Sequence, residues 1–329
     1  MFSEAAMIIL QKPGMEKKQS RIMALSQGLC FHWTSPLRET LAPLLEGHRL
    51  GMRSGDVESA GHALSFYLDH IFYAGCPLNG ESVTALLARH IGDTETVGSN
   101  DSHALTQEMY IQNYLLTMKK LQGTELEENE RDYDDILNIA SETDNSVLRG
   151  YVYVLQLELS SVFGEWKDAS EILRKTGDIR DELLGSFGEI RFTFLESLIS
   201  IKAARLSSGI ITSRRWRYRA IKSLKLMRLW KKNGNPNITH SLHLLEAELA
   251  AFEGKKRRAQ DCYKSAIAVA YNNNFLQDLA LSHELASVYY GNLVDDLQRD
   301  HHRENAIRYY SEWGATAKIK QLESRWRTH

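Results

Sequence analysis

The sequence predicts an all-α chain in which pairs of helices stack into a degenerate repeat solenoid, and three observations point that way. The first is a recurring spacing. Gly254 is followed five residues later by Ala259, then by Tyr263 and Ala266, so small and aromatic residues fall at i, i+4 and i+7 of one helix. Two helices approach closely only where one presents Ala or Gly to the other, and the aromatic ring fills the wedge alongside. Gly55, Ala60, Leu64 and Tyr67 reproduce these offsets, and Gly164, Ala169 and Leu173 reproduce most of them. The second observation is that only five prolines occur, at 13, 36, 43, 77 and 236, which leaves 78–235 free of the strongest helix breaker. The third is that no segment shows the period of two that marks a half-buried strand.

The elements follow in order. Ser35-Pro36 predicts a helix start with Ser35 as cap and Pro36 in the first turn, running to about Met52 with a kink at Pro43. Gly55-Asp56 turns the chain into a helix over 57–74, which Pro77 closes. Helices are expected over 81–91, 103–122 and 132–141, separated by the polar stretches 92–101 and 123–131; the second of these carries Glu125, Glu127, Glu128 and Glu130 as a solvated acidic loop. Over 147–163 the residues Leu148, Val152, Leu155 and Leu159 recur at helical spacing, and Gly164 turns the chain into a helix over 166–174. A long helix over 181–206 ends at Ser207-Ser208-Gly209. A basic helix follows, stopped by Asn233-Gly234-Asn235-Pro236-Asn237. The Gly254 pair over 237–273, helices over 275–291 and 303–313 and a terminal helix from Ala315 complete the chain. As domains, 1–28 is an N-terminal helical extension and 29–329 the repeat region, with divisions expected near 123–131 and 207–213.

Composition narrows the function. A formal charge of −2 lacks the basic excess of a dedicated nucleic-acid binder. Cys30, Cys76 and Cys262 lie far apart, in neither a disulfide framework nor a zinc or redox spacing. The first ten residues, interrupted by Glu4, make no signal peptide, and no stretch reaches the roughly 20 apolar residues of a membrane span. The expected location is the cytoplasm, without membrane partner, where the triplets at Asn100 and Asn237 have no glycosylation consequence.

Motifs for chemistry are sparse. Phosphate-binding loops, a nucleophile elbow and kinase elements are missing, so no catalytic or cofactor-binding residue is assigned and no cofactor is expected. His240, His243 and Glu246 fall at i, i+3 and i+6, but a metal needs a further ligand and an orienting shell, so they read as packing. His301-His302 reads as exposed loop. The alternative to a binding protein is an all-helical, magnesium-dependent, diphosphate-processing enzyme resembling a terpenoid synthase, with Asp295, Asp296 and Asp300 around the metal. The second metal motif of such enzymes is lacking: Asn100-Asp101 with Glu108 lies upstream and has Ala104 where a hydroxyl belongs. The residues therefore read as an acidic turn. The segment 214–232 holds Arg214, Arg215, Arg217, Arg219, Lys222, Lys225, Arg228, Lys231 and Lys232 with no intervening acid, among Trp216, Tyr218 and Trp230. Ile221, Leu224, Met227 and Leu229 form its apolar stripe, which leaves the charges on the opposite face for solvent or for an acidic protein partner.

The run 244–251 with Gly254-Lys255-Lys256, Ala259, Tyr263, Ala266 and Ile267 resembles a tetratricopeptide-like (TPR-like) repeat. More narrowly, it resembles the helical-repeat region of large multidomain signalling proteins, in which a STAND or AAA-like ATPase precedes the repeats and a GAF sensor and histidine kinase follow; a serine/threonine-kinase-like domain often precedes the ATPase. Ala280, Glu284-Leu285-Ala286 and 309–318 extend the likeness, as do His32-Trp33, Pro36-Leu37-Arg38-Glu39, Leu44-Leu45-Glu46, Gly61, Phe72, Ala74, Gly75 and Pro77-Leu78. It spans about Leu29 to Leu322 and departs at 294–299, where acids and Arg299 replace a Gly turn and a small residue. The resemblance implies a right-handed α–α superhelix acting as a non-catalytic scaffold. Its partners would be ATPase, GAF or kinase modules, or peptides, and the chain would be either a fragment of such a protein or a free-standing repeat region.

Overall fold

The computed structural model describes residues 16–78, 102–125, 130–183 and 185–327, and every regular element among them is helical. The helices are α1 (Glu16–Leu29), α2 (Leu41–Ser54), α3 (Val57–Tyr73), α4 (Ser102–Gln122), α5 (Tyr133–Glu142), α6 (Ser146–Phe163), α7 (Trp166–Thr176), α8 (Phe187–Leu206), α9 (Ile210–Lys232), α10 (Thr239–Phe252), α11 (Lys256–Asn272), α12 (Leu276–Asn292), α13 (Asp296–Trp313) and α14 (Thr316–Arg327). Consecutive helices pack in pairs, most closely α2 with α3, α8 with α9, α10 with α11 and α12 with α13, while α1 lies on both α2 and α3. The helix expected over 81–91, the stretch 92–101, Glu127, Glu128 and the first fifteen residues lie outside the described residues.

One turn is used throughout. At Gly55, Gly75, Gly123, Asp144, Gly164, Gly234, Gly254, Asn274, Val294 and Gly314 the backbone takes a positive φ. The N–H of the next residue then bonds to the carbonyl five positions earlier, at 2.8–3.2 Å, which satisfies an orphan carbonyl of the preceding helix. Between Gly234 and Gly314 this turn recurs every 20 residues, so a helix pair occupies 40, against about 34 in a tetratricopeptide unit. Asn tolerates the left-handed region; Val, branched at Cβ, does not. Val294 is 81% exposed, so its side chain gains no burial to offset the strain. Val294→Gly is therefore expected to raise stability by about 0.5–1 kcal/mol, the relief of strain exceeding the added unfolded-chain entropy. The check is a higher urea midpoint at unchanged slope.

Several boundaries differ from expectation for local reasons. Pro43 is the third residue of α2, where a missing N–H costs nothing, so it starts the helix rather than kinking it. The helix expected from 181 begins at Phe187, because Gly185 turns at φ +71° after a 3-10 turn over Arg180–Glu182. Helix α13 begins at Asp296 rather than near 303, capped by Asp295, whose carboxylate accepts the Gln298 N–H at 3.2 Å.

Parts of the chain about 200 residues apart meet along a seam. Buried Asn237 accepts the Leu37 N–H (2.8 Å) and donates to the carbonyls of His32 (2.7 Å) and Ser35 (2.9 Å). Arg38 donates to the carbonyls of Ala74 and Asn274, both at 2.6 Å, where a cation suits the negative ends of α3 and α11. Gln277 donates to the Tyr73 carbonyl at 2.6 Å, and the Leu78 N–H bonds to the Trp313 carbonyl at 2.8 Å. At the other end α14 packs on α4 and α6. In an open array each unit touches only its neighbours; here the two ends of the described chain are stapled together.

Helix α8 runs through the middle of this assembly and is buried on all sides along most of its length. It carries three buried charges, each answered by a different neighbour. Arg191 binds Glu158 of α6 at 2.5 and 2.6 Å and Asp278 of α12 at 2.8 and 3.0 Å, with His240 Nε2 2.7 Å from the same aspartate. Glu196 accepts from Arg219 at 2.6 Å and also from Arg180 and Ser223. Lys202 donates to Glu248 of α10 at 2.8 Å, and Tyr263 completes that carboxylate at 2.7 Å. Buried ions persist only when paired and fully hydrogen-bonded. Their partners fix which helices surround α8.

Candidate partner-binding surface

The residues of the recurring spacing are structural. Ala60, Leu64, Ala169, Leu173, Ala259, Tyr263 and Ala266 are buried, Tyr67 is half-buried, and Gly55, Gly164 and Gly254 form the shared turn. Tyr263 does more than fill a wedge, since its hydroxyl satisfies Glu248.

The sequence candidates for metal binding are drawn apart. Buried His240 turns inward to Asp278 and stacks on Phe275 at 4.2 Å, whereas His243 remains near Glu246, which is held by Arg228 at 2.7 Å. Asp295 is a helix cap, and Asp296 and Asp300 both pair with Arg299. That pairing holds the Asp300 carboxyl below its usual range. Among the described residues no three carboxylate, imidazole or thiol groups are placed to share a metal ion. His301 and His302 belong to α13 rather than to a loop, and His302 is buried with Nδ1 2.9 Å from Nδ1 of His283. Burial, with neighbouring imidazoles adding to it, lowers His283 to about 3 and His302 to about 4, so both stay neutral near pH 7. They lie beside a groove of about 460 Å³ that runs between α11 and α13 over α12, with Tyr271, Tyr290, Tyr309 and Asn305 on its walls.

The basic helix is divided by the fold. Ala220, Ser223, Leu224 and Met227 of α9 face the core, and Trp216 and Trp230 pack half-buried against it. Leu229, expected on that stripe, is 51% exposed instead. It stands two residues beyond Met227, on the opposite side of the helix. Three of the cations are spoken for. Arg219, expected on the free face, points inward and binds Glu196 and the carbonyls of Leu173 and Gly177. Arg217 pairs with Glu253 at 2.5 Å and Arg228 with Glu246. Sequence separations of 18 to 46 residues hid these partners.

What remains is a continuous outward stripe. Ile211, Arg215, Tyr218, Lys222, Lys225, Leu229 and Lys232 succeed one another at alternating steps of four and three residues, which is one face of a helix. All are exposed; Ile211 shows 69% and Tyr218 74% of its surface, and Ile210 and Arg214 adjoin them. Arg214, Arg215, Lys222 and Lys225 form no ion pair within the described residues. The helix contains no acid to neutralise the stripe. Large apolar side chains alternating with uncompensated cations form an amphipathic surface of one charge sign.

No helix among the described residues is long and apolar enough to cross a membrane. No family model, curated protein or solved structure matches the chain.

Proposed function

We propose that this chain is a non-catalytic helical-repeat scaffold, a TPR-like right-handed α–α superhelix, that mediates protein–protein or interdomain contacts in a cytoplasmic ATPase and sensor-kinase signalling system. The observation that carries the reading is the outward stripe of α9. Tyr and Arg are the side chains that most often anchor interfaces, because each combines a large contact area with directed polar groups. A partner that fits this face is acidic and amphipathic: carboxylates opposite Arg215, Lys222 and Lys225, and apolar side chains against Ile211, Tyr218 and Leu229. Opposite charge speeds encounter and rejects wrong partners, while the apolar residues hold the complex. The rest of the molecule supports the role by position, since α9 packs directly on α8, which in turn contacts α3, α6 and α10.

The test is a pull-down of purified ATPase, GAF and kinase modules encoded beside the chain. At least one module is expected to bind and to be lost when Arg214, Arg215, Lys222 and Lys225 are all changed to Glu. Failure of every module to bind, or binding indifferent to the charge reversal, rejects the reading.

A further inference from the structure

A partly open cavity of about 330 Å³ is lined by α1, α3, α4, α6 and the turn that leads into α8, none of it from α9. It is as large as the smaller sites that hold organic ligands, and over twice the volume of the roughly 150 Å³ engineered cavity that admits benzene. Its walls are chiefly apolar, with Leu29, Phe66, Val147 and Leu183 contributed by four different elements. Tyr110 and Tyr151 stand edge to face at 5.5 Å and form an aromatic side.

The polar part of the wall is mixed, with His62, Ser65, Gln107, Asn145 and Ser186 beside the tyrosines, and one acceptor in it is fixed. Tyr114 donates its only hydroxyl proton to Asp69 Oδ1 at 2.5 Å behind the wall, so its oxygen has only acceptor capacity left. No Lys, Arg, Asp or Glu is among the described residues that line the space, and its one imidazole, His62, is solvent-exposed. An anion or a cation would therefore leave its charge unanswered in an apolar enclosure, which is costly. A neutral aromatic molecule carrying an O–H or N–H donor meets no such cost.

We infer that this cavity is a binding site for a small, uncharged aromatic ligand with one hydrogen-bond donor. Such a ligand bridges α1 and α3 to α4 and α6, so its binding strengthens contact between two helical groups that the chain joins through residues 79–101.

The probe is N-phenyl-1-naphthylamine, a neutral aromatic amine whose emission rises on entering an apolar site. With the full chain it is expected to give saturable one-site binding and a rise in melting temperature, since a ligand of the folded state stabilises it by mass action. Val147→Trp, which fills the space from α6, is expected to weaken binding at least tenfold. Ser65→Phe fills it from α3 and serves where the first variant does not fold. Absence of saturable binding to the wild-type chain overturns the inference, as does undiminished binding by either filled variant that retains its fold.

Discussion

Arg191→Met is expected to destabilise the fold by about 3–5 kcal/mol, the usual consequence of stranding a buried charge. The substitution retains most of the side chain's length, so the loss is chiefly electrostatic. Glu158 and Asp278 are each buried and close on the same guanidinium. Burial works to raise the Asp278 carboxyl, and Arg191 with His240 outweighs it, holding the group down to about 2. For Glu158 burial prevails over Arg191 and the carboxyl stands above its usual range. Without the guanidinium Asp278 loses its main counter-charge and rises, and Glu158 rises further. A carboxyl whose folded pKa exceeds its unfolded value stabilises the fold below the unfolded pKa and loses that contribution as pH climbs through the folded one. The variant's deficit should accordingly shrink as pH falls from 7 toward 5. Adding Glu158→Gln and Asp278→Asn to Arg191→Met should recover part of the loss at pH 7. Urea denaturation across this pH range measures both effects; a deficit below 1 kcal/mol would show that the cluster does not hold α8.

The second large effect is expected at the seam. Gly75 closes α3 at φ +71°, and a Cβ there would lie 2.6 Å from the Leu276 nitrogen and 3.1 Å from the Phe275 carbonyl carbon. Those are backbone atoms at the start of α12, so they yield only by moving the helix. Gly75→Ala should cost about 2–5 kcal/mol, about 1–2 for the left-handed conformation and about 1–3 for the collision. Gly254→Ala separates the two contributions, because Gly254 has φ +73° and nothing within 4 Å of its would-be Cβ. It should lose only the conformational part. Equal losses in the two variants would mean that the seam yields freely.

The sequence disclosed what local chemistry encodes. Helix-forming composition, the few prolines and the glycine turns at 55, 164 and 254 made the all-helical class and most helix limits legible. The 20-residue recurrence from Gly234 to Gly314 was half concealed, because Asn274 and Val294 occupy two of its left-handed positions and Val carries no signal for that conformation. The buried ions of α8 were not legible at all. Arg191 meets partners 33 and 87 residues away and Lys202 one 46 residues away, and nothing local distinguishes such a residue from a solvated one. The same blindness affected α9, where Arg219 reads as one cation among nine and is a clamp on Glu196. His302 was likewise misplaced, since its polar neighbours suggested a loop while Tyr290 and His283 cover it.

These ion pairs also narrow the free cationic face of α9. Removing Arg217, Arg219 and Arg228 from the free cations leaves a narrower stripe than the sequence offered, bounded by Ile211 and Lys232. The most direct measurement is the affinity of whichever module the proposed pull-down captures for the wild-type chain and for Arg214→Glu/Arg215→Glu/Lys222→Glu/Lys225→Glu, at about 50 and about 300 mM salt, where the Debye length falls from over 10 to under 8 Å. Charge reversal is expected to lose more than tenfold in affinity, and wild-type affinity to weaken with salt, with the unfolding midpoint of the variant retained. Equal affinities for the two proteins at both salt concentrations would contradict the proposed binding face.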